Sequence, residues 1–180
     1  TNLTDLVYGT TYNIQFYSNN NENFSKEIDS ILNEIDNSMS TYKPNSIISK
    51  INKNQESKID YHFKNVFNSS KKIYKETNGR FDPSIGLLVN YWGFGPEKFN
   101  IQSGIKDDKL PYLLKKVGFD KFEIIDDNIK RPYDSYIDFN AIAKGYAVDQ
   151  IGDFLIKQKI ENYYGYDCNH YASSNCCECD

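Results

Sequence analysis

Residues 79–96 read GRFDPSIGLLVNYWGFGP, and this stretch decides how the rest of the chain is understood. Four glycines, two prolines and the only tryptophan fall within it, so no helix or strand is expected to run through it unbroken. Glycine serves where backbone must approach something closely or take a positive φ, and proline fixes φ and removes a donor. Between these breakers lie Ile85, Leu87, Leu88 and Val89, followed by Tyr91, Trp92 and Phe94. Rigid, irregular backbone beside large aromatics suits the wall of a pocket for a planar ligand. The same composition also describes a well-packed core loop, and the stretch alone leaves both readings open.

Working outward, the N-terminal side shows two clear patterns. Tyr8, Thr10, Tyr12, Ile14 and Phe16 alternate with Gly9, Thr11, Asn13 and Gln15, a period of two that predicts a strand with one buried face. From Ser25, a candidate N-cap, Ile28, Ile31, Leu32, Ile35 and Met39 recur at helical spacing. The segment MSTYKPNSIISKIN, residues 39–52, is broken by Pro44. A second helix is predicted over residues 62–77, stopped by Asn78-Gly79.

On the C-terminal side, residues 107–117 predict a short helix ending at Gly118, and residues 122–125 a strand closed by the turn Asp126-Asp127-Asn128. Tyr136-Ile137-Asp138-Phe139 reads as another strand, running almost directly into a helix from about Ile142. Helices and strands mix without regular βαβ alternation, so the expected class is α+β, in one domain of ordinary size. A formal net charge of −4 argues against nucleic acid as a partner, and no apolar run is long enough to span a bilayer as a helix. The chain starts at Thr1, so the lack of a visible signal peptide decides nothing.

The junction IDFNAIAKGYAVD, residues 137–149, is the second feature with chemical content. A helix N-terminus offers unpaired N–H groups and a partial positive charge, which suits phosphate. Asp138 is placed to take a ribose hydroxyl, a ring N–H or a metal, or simply to cap the helix. Lys144 is placed to offset phosphate charge, or to be a solvated cation. Neither a Walker A loop nor a GxGxxG fingerprint occurs. Tyr42, beside the stiffening Pro44, could stack on a base or be one packing tyrosine among 15. With only two histidines, no Ser/His/Asp arrangement can be assembled, and His62 is read as structural. Cys168, Cys176, Cys177 and Cys179 crowd with His170 into the last thirteen positions. That single run lacks the two separated ligand pairs of a zinc site, and is read as a disordered or non-native tail.

Taken in order, YGTTYNI (8–14), MSTYKPNSIISKIN (39–52), GRFDPSIGLLVNYWGFGP (79–96) and DFNAIAKGYAVDQI (138–151) resemble the ApbE family of flavin transferases. The resemblance implies a T-fold-related α+β architecture with a mixed sheet. It implies an FAD:protein FMN transferase that uses Mg²⁺, moves FMN from FAD to a threonine or serine hydroxyl of a target flavoprotein, and releases AMP. The target implied is a subunit of a membrane redox complex. The location implied is the extracytoplasmic face of a bacterial membrane, with attachment through a lipidated N-terminus that this chain does not include.

By position, the resemblance assigns FAD contacts to Tyr8, Tyr42, Arg80, Phe81, Asp82, Asp138 and Lys144, and a metal contact to the backbone carbonyl of Ala141. No catalytic residue is assigned. Past the Lys-Gly-Tyr-Ala helix, family members continue to an Asp…Thr stretch that supplies the main Mg²⁺ ligands. Here IENYYGYDCNHYASSNCCECD stands in its place. The expected organisation is therefore the N-terminal portion of a flavin transferase domain over 1–162 and a divergent tail over 163–180, from a truncated or frameshifted reading frame. Such a chain is expected to have little or no transferase activity. The alternatives are a non-catalytic FAD-binding module and a small metal- or disulfide-dependent secreted domain.

Overall fold

The structure is a computed structural model describing residues 1–7, 9–18, 22–96, 109–167 and 171–173. It divides into two compact units, Thr1–Asp36 with Ile142–Asp180, and Asn37–Ala141.

The first unit is built on a four-stranded sheet in the order β1-β2-β5-β6, where β1 is Asn2–Val7, β2 is Thr10–Phe16, β5 is Tyr163–Asp167 and β6 is Tyr171–Ser173. Each neighbouring pair is antiparallel. The alternation expected in β2 is met: Tyr12, Ile14 and Phe16 are buried, while Thr11 and Gln15 face solvent. Strand β1 was not anticipated, because the apolar residues of NLTDLV, Leu3, Leu6 and Val7, do not alternate. It joins β2 through a turn in which Gly9 takes φ +76°. Segment 163–180, expected to be a divergent tail, begins with β5 laid against β2.

Helix α1, Ser25–Met39, buries Ile28, Leu32, Ile35 and Met39 as its spacing predicts. At its start Asn23 Oδ1 accepts from both the backbone N–H and the hydroxyl of Ser25 (2.9 and 2.6 Å), so Asn23 supplies the capping oxygen assigned to Ser25. Helix α6, Asn140–Lys157, starts two residues earlier than predicted and buries Ala147, Val148, Ile151 and Leu155. Phe24, just before α1, lies 5.5 Å from the Phe16 ring of β2 and 5.4 Å from the Phe154 ring of α6.

Among the described residues, the second unit holds helices α2 (Ile47–Asn52), α3 (Tyr61–Glu76), α4 (Gly86–Tyr91) and α5 (Leu110–Leu114), a 3₁₀ turn over Phe119–Lys121, and a hairpin. That hairpin pairs β3 (Glu123–Ile125) with β4 (Asn128–Lys130). Asp126 and Asp127 both take positive φ in its two-residue turn, as a type I′ connection requires. Asp60 caps α3, accepting from the Phe63 N–H and the Ser38 hydroxyl, both at 2.8 Å.

The core of this unit is aromatic. Phe119, fully buried, lies 4.9 Å from Phe67, 5.3 Å from Phe122 and 6.3 Å from Phe139, and Phe139 lies 5.3 Å from Phe63. The strand expected at Tyr136–Phe139 does not form a ladder. Its pairing is one parallel bridge, Ile85 to Tyr136. The Gly79–Pro96 stretch is irregular as expected, except that its apolar centre folds into α4.

Candidate functional site

Asp138 lies between Ile137 and Phe139, both fully buried. In an extended chain successive side chains face opposite ways, so burying the two neighbours turns Asp138 away from the aromatic core. Its own N–H donates to the Pro83 carbonyl at 2.8 Å. Its Oδ1 accepts from the Asn140 N–H at 2.7 Å, the capping bond anticipated for the start of α6. Burial pushes the Asp138 carboxyl above the ordinary carboxylate value, and the bonds from Asn140 oppose that shift without cancelling it. A half-buried carboxyl thus stands beside the first turn of an 18-residue helix.

Opposite it is the turn that opens the Gly79–Pro96 stretch. Helix α3 exits through Asn78 (φ +53°) and Gly79 (φ +77°), with the Gly79 N–H bonded to the Tyr74 carbonyl at 2.8 Å. The Thr77 hydroxyl donates to the Ile73 carbonyl (2.8 Å) and accepts from the Phe81 N–H (3.1 Å), fixing the chain as it enters the turn. Asp82 Oδ1 accepts from the N–H (2.8 Å) and hydroxyl (2.6 Å) of Ser84. Ser84, itself buried, accepts from the Gly118 N–H at 2.8 Å. Gly86 then passes so close to the neighbouring segment that a Cβ there would lie 2.3 Å from Tyr136 Cδ1 and 3.3 Å from Asp138 Cβ. The glycine is used for close approach.

The third segment is the turn before α2. The Ser46 hydroxyl caps α2 by accepting from the Ser49 N–H (3.1 Å) and donates to the Ser40 carbonyl (2.7 Å). Thr41 is buried and accepts from Asn140 Nδ2 at 3.5 Å, whereas Tyr42 stands 62% exposed. An aromatic ring held out on a pinned turn is available for stacking.

Tyr42, Arg80, Phe81, Asp82, Asp138 and Ala141 all belong to the unit Asn37–Ala141. Within it, the Pro83–Asp138 bond joins the Asp82 turn to Asp138, and the Thr41–Asn140 contact joins the Tyr42 turn to the same helix start. Arg80 is exposed, and Phe81 and Asp82 are half-buried. Lys144 lies further along α6, in the other unit. Tyr8, Cys168, His170, Cys176, Cys177 and Cys179 lie outside the described residues.

Sequence reasoning missed Ser84, Asn52, Asn140 and Arg131. Arg131 is the most heavily used of them. Its guanidinium donates to the carbonyls of Ile51 and Ser135, to Ser135 Oγ (3.1 Å) and to Asn54 Oδ1 (2.9 Å). Burial lowers its pKa, with Asp134 acting in the other direction. The polar residue type at these positions was visible, but the backbone groups they satisfy come from distant segments.

Among the described residues, no three His, Cys, Asp or Glu side chains come together to hold a metal ion. The carbonyl of Ala141 lies in the first turn of α6 and has no such cluster beside it. These residues do not by themselves make a magnesium site.

The chain is similar to known proteins. The ApbE family model matches residues 8–164. An FAD:protein FMN transferase of Haemophilus influenzae is 31% identical over 175 residues, covering 89% of this chain and 50% of that protein. One from Vibrio cholerae is also 31% identical, over 169 residues, with the same coverage. The chain therefore spans about half the length of the curated relatives it matches. The solved structure of the flavin transferase ApbE from Vibrio cholerae superposes with a TM-score of 0.84 at 32% identity, over 92% of this chain and 56% of that one. The apo form of the Pseudomonas stutzeri flavinyl transferase ApbE, at 22% identity, shares the fold with a TM-score of 0.88.

Proposed function

Because the chain belongs to the ApbE family, we propose that it is the FAD-holding part of an FAD:protein FMN transferase. The observation that carries the reading is the bond from the Asp138 N–H to the Pro83 carbonyl. It brings the Phe81-Asp82 turn and the carboxyl at the start of α6 to one place, two segments far apart in sequence. The roles follow from chemistry. Asp138 accepts from a ring N–H or ribose hydroxyl of the nucleotide. The exposed ring of Tyr42 stacks on a base or flavin. The start of α6 suits the diphosphate, the carbonyl of Ala141 is the metal contact that the resemblance implies, and Lys144 is a further FAD contact that it implies. Arg80, Phe81 and Asp82 line the nucleotide from the other side, and Tyr8 is a further contact that the family resemblance implies.

In the reaction proposed, the hydroxyl oxygen of a threonine or serine on a target flavoprotein bonds to the FMN phosphorus of FAD. The diphosphate P–O bond breaks, and AMP leaves with the electron pair. The hydroxyl proton is given up to a base that no described residue is assigned to be. Mg²⁺ dependence belongs to the same proposal: the ion would neutralise charge on the diphosphate, and the described residues supply no side-chain cluster to hold it. The proposed target is a subunit of a membrane redox complex, met at the extracytoplasmic face of a bacterial membrane through a lipidated N-terminus. Among the described residues, no helix is long and apolar enough to cross a membrane.

One alternative is kept beside it, an FAD-binding module without turnover. Incubation with FAD, Mg²⁺ and a threonine-bearing acceptor peptide separates the two. Release of AMP with covalent FMN on the peptide is the transferase result. FAD binding with neither product is the module result. Absence of FAD binding sinks both.

A further inference from the structure

Ile137 is fully buried, so its backbone N–H and carbonyl must find partners within the protein. No ladder supplies that pairing, since the segment makes only the Ile85–Tyr136 bridge. One side chain does it instead. Asn52 Oδ1 accepts from the Ile137 N–H at 2.8 Å, and Asn52 Nδ2 donates to the Ile137 carbonyl at 2.9 Å. The amide stands in for an adjacent strand, offering one acceptor and one donor at the spacing a peptide group would.

Asn52 is also the last residue of α2, whose first turn is tied through Ser46 to the Ser40 carbonyl, just before Thr41 and Tyr42. A single six-residue helix therefore connects the Tyr42 turn at one end to the residue preceding Asp138 at the other. We infer that Asn52 is a positioning residue that sets where Asp138 stands relative to the Tyr42 turn, and so the geometry of the nucleotide site. The inference rests on the proposed FAD-holding role for its functional consequence, and on geometry alone for the clamp. Substitution shows why the residue type matters. Aspartate keeps the shape and the acceptor but turns an oxygen toward the Ile137 carbonyl. Glutamine is one methylene too long for a two-point contact. Alanine leaves both backbone groups of Ile137 buried and unpaired.

The test compares the 180-residue chain with Asn52→Asp, Asn52→Ala and the control Val66→Ala, a buried α3 residue whose side chain takes no part in the clamp's hydrogen bonds. Two readouts are taken on each variant that remains folded by circular dichroism: FAD affinity by fluorescence titration, and amide hydrogen exchange at Ile137 and Asp138. Asn52→Ala should lose protection at those amides, and both Asn52 variants should bind FAD at least about tenfold more weakly, as misplaced contact groups do. Val66→Ala should lower the melting temperature yet leave both readouts near those of the parent. Unchanged protection in Asn52→Ala, or equal loss of affinity in Val66→Ala, overturns the inference. If the parent chain binds no FAD, the functional reading fails, while the exchange data still decide the clamp.

Discussion

The sheet of the first unit and the site of the second are held together by different means. In the sheet, β1, β2, β5 and β6 exchange backbone hydrogen bonds with one another, and side chains only choose which face is buried. Around Asp138 almost no ladder exists. The backbone there is fixed by the side chains of Asn52, Ser84, Thr77 and Arg131, and by the single bond to Pro83. A ladder tolerates many sequences because any residue but proline supplies its donors and acceptors. A backbone held by side chains tolerates few, because each bond names a residue type. Irregular backbone is what a pocket needs, and specific polar side chains are what irregular backbone needs.

This contrast can be broken by substitution, and the largest effect is expected in the aromatic core beneath the site. Phe119→Ala should cost about 4 kcal/mol in denaturant unfolding, since a fully buried ring touching Phe67, Phe122 and Phe139 leaves a cavity its rigid neighbours cannot close. Next comes Arg131→Met, which keeps much of the side-chain volume but strips the donors from the carbonyls of Ile51 and Ser135. About 3 kcal/mol is expected from losing charge-assisted bonds in a half-buried place, read by the same unfolding curves.

A third prediction concerns pH. The folded-state pKa of Asp138 lies above its ordinary 3.8 because burial disfavours the charge. Just above pH 3.8 the folded chain therefore holds a proton that the unfolded chain has released, and this contribution to stability drains away as pH rises through the window. Asp138→Asn cannot titrate. The stability of the parent relative to this variant should fall from acid toward neutral pH and then level off, and a difference that rises with pH would contradict the assignment.

The smallest effect belongs to the sheet. Leu6 is 77% exposed on β1, which ends the strand order among the described residues. Leu6→Lys should change stability by no more than about 0.5 kcal/mol, a null result that sharpens the contrast with Arg131.

The same contrast explains what the sequence could and could not announce. Periodicity located α1, α3, α6 and β2, because burying one face leaves a repeat of fixed period in the residues. It missed β1, whose exposed pattern carries no such repeat. It also made Tyr136–Phe139 a strand, since alternating burial looks the same whether the partner is a strand or the amide of Asn52. At the site, Asp82, Asp138 and Tyr42 were legible as chemistry within local motifs. Asn52, Ser84 and Arg131 were not, because each is defined by a backbone group that only the fold brings near.

The central claim is that Asp138 and the turn bonded to it hold FAD. The most direct test is an equilibrium titration of FAD into the 180-residue chain and into Asp138→Ala, followed by flavin fluorescence. Saturable, one-to-one binding by the parent and a loss of at least about tenfold in the variant is the predicted result. No saturable binding by the parent, or equal affinity in Asp138→Ala, would contradict it.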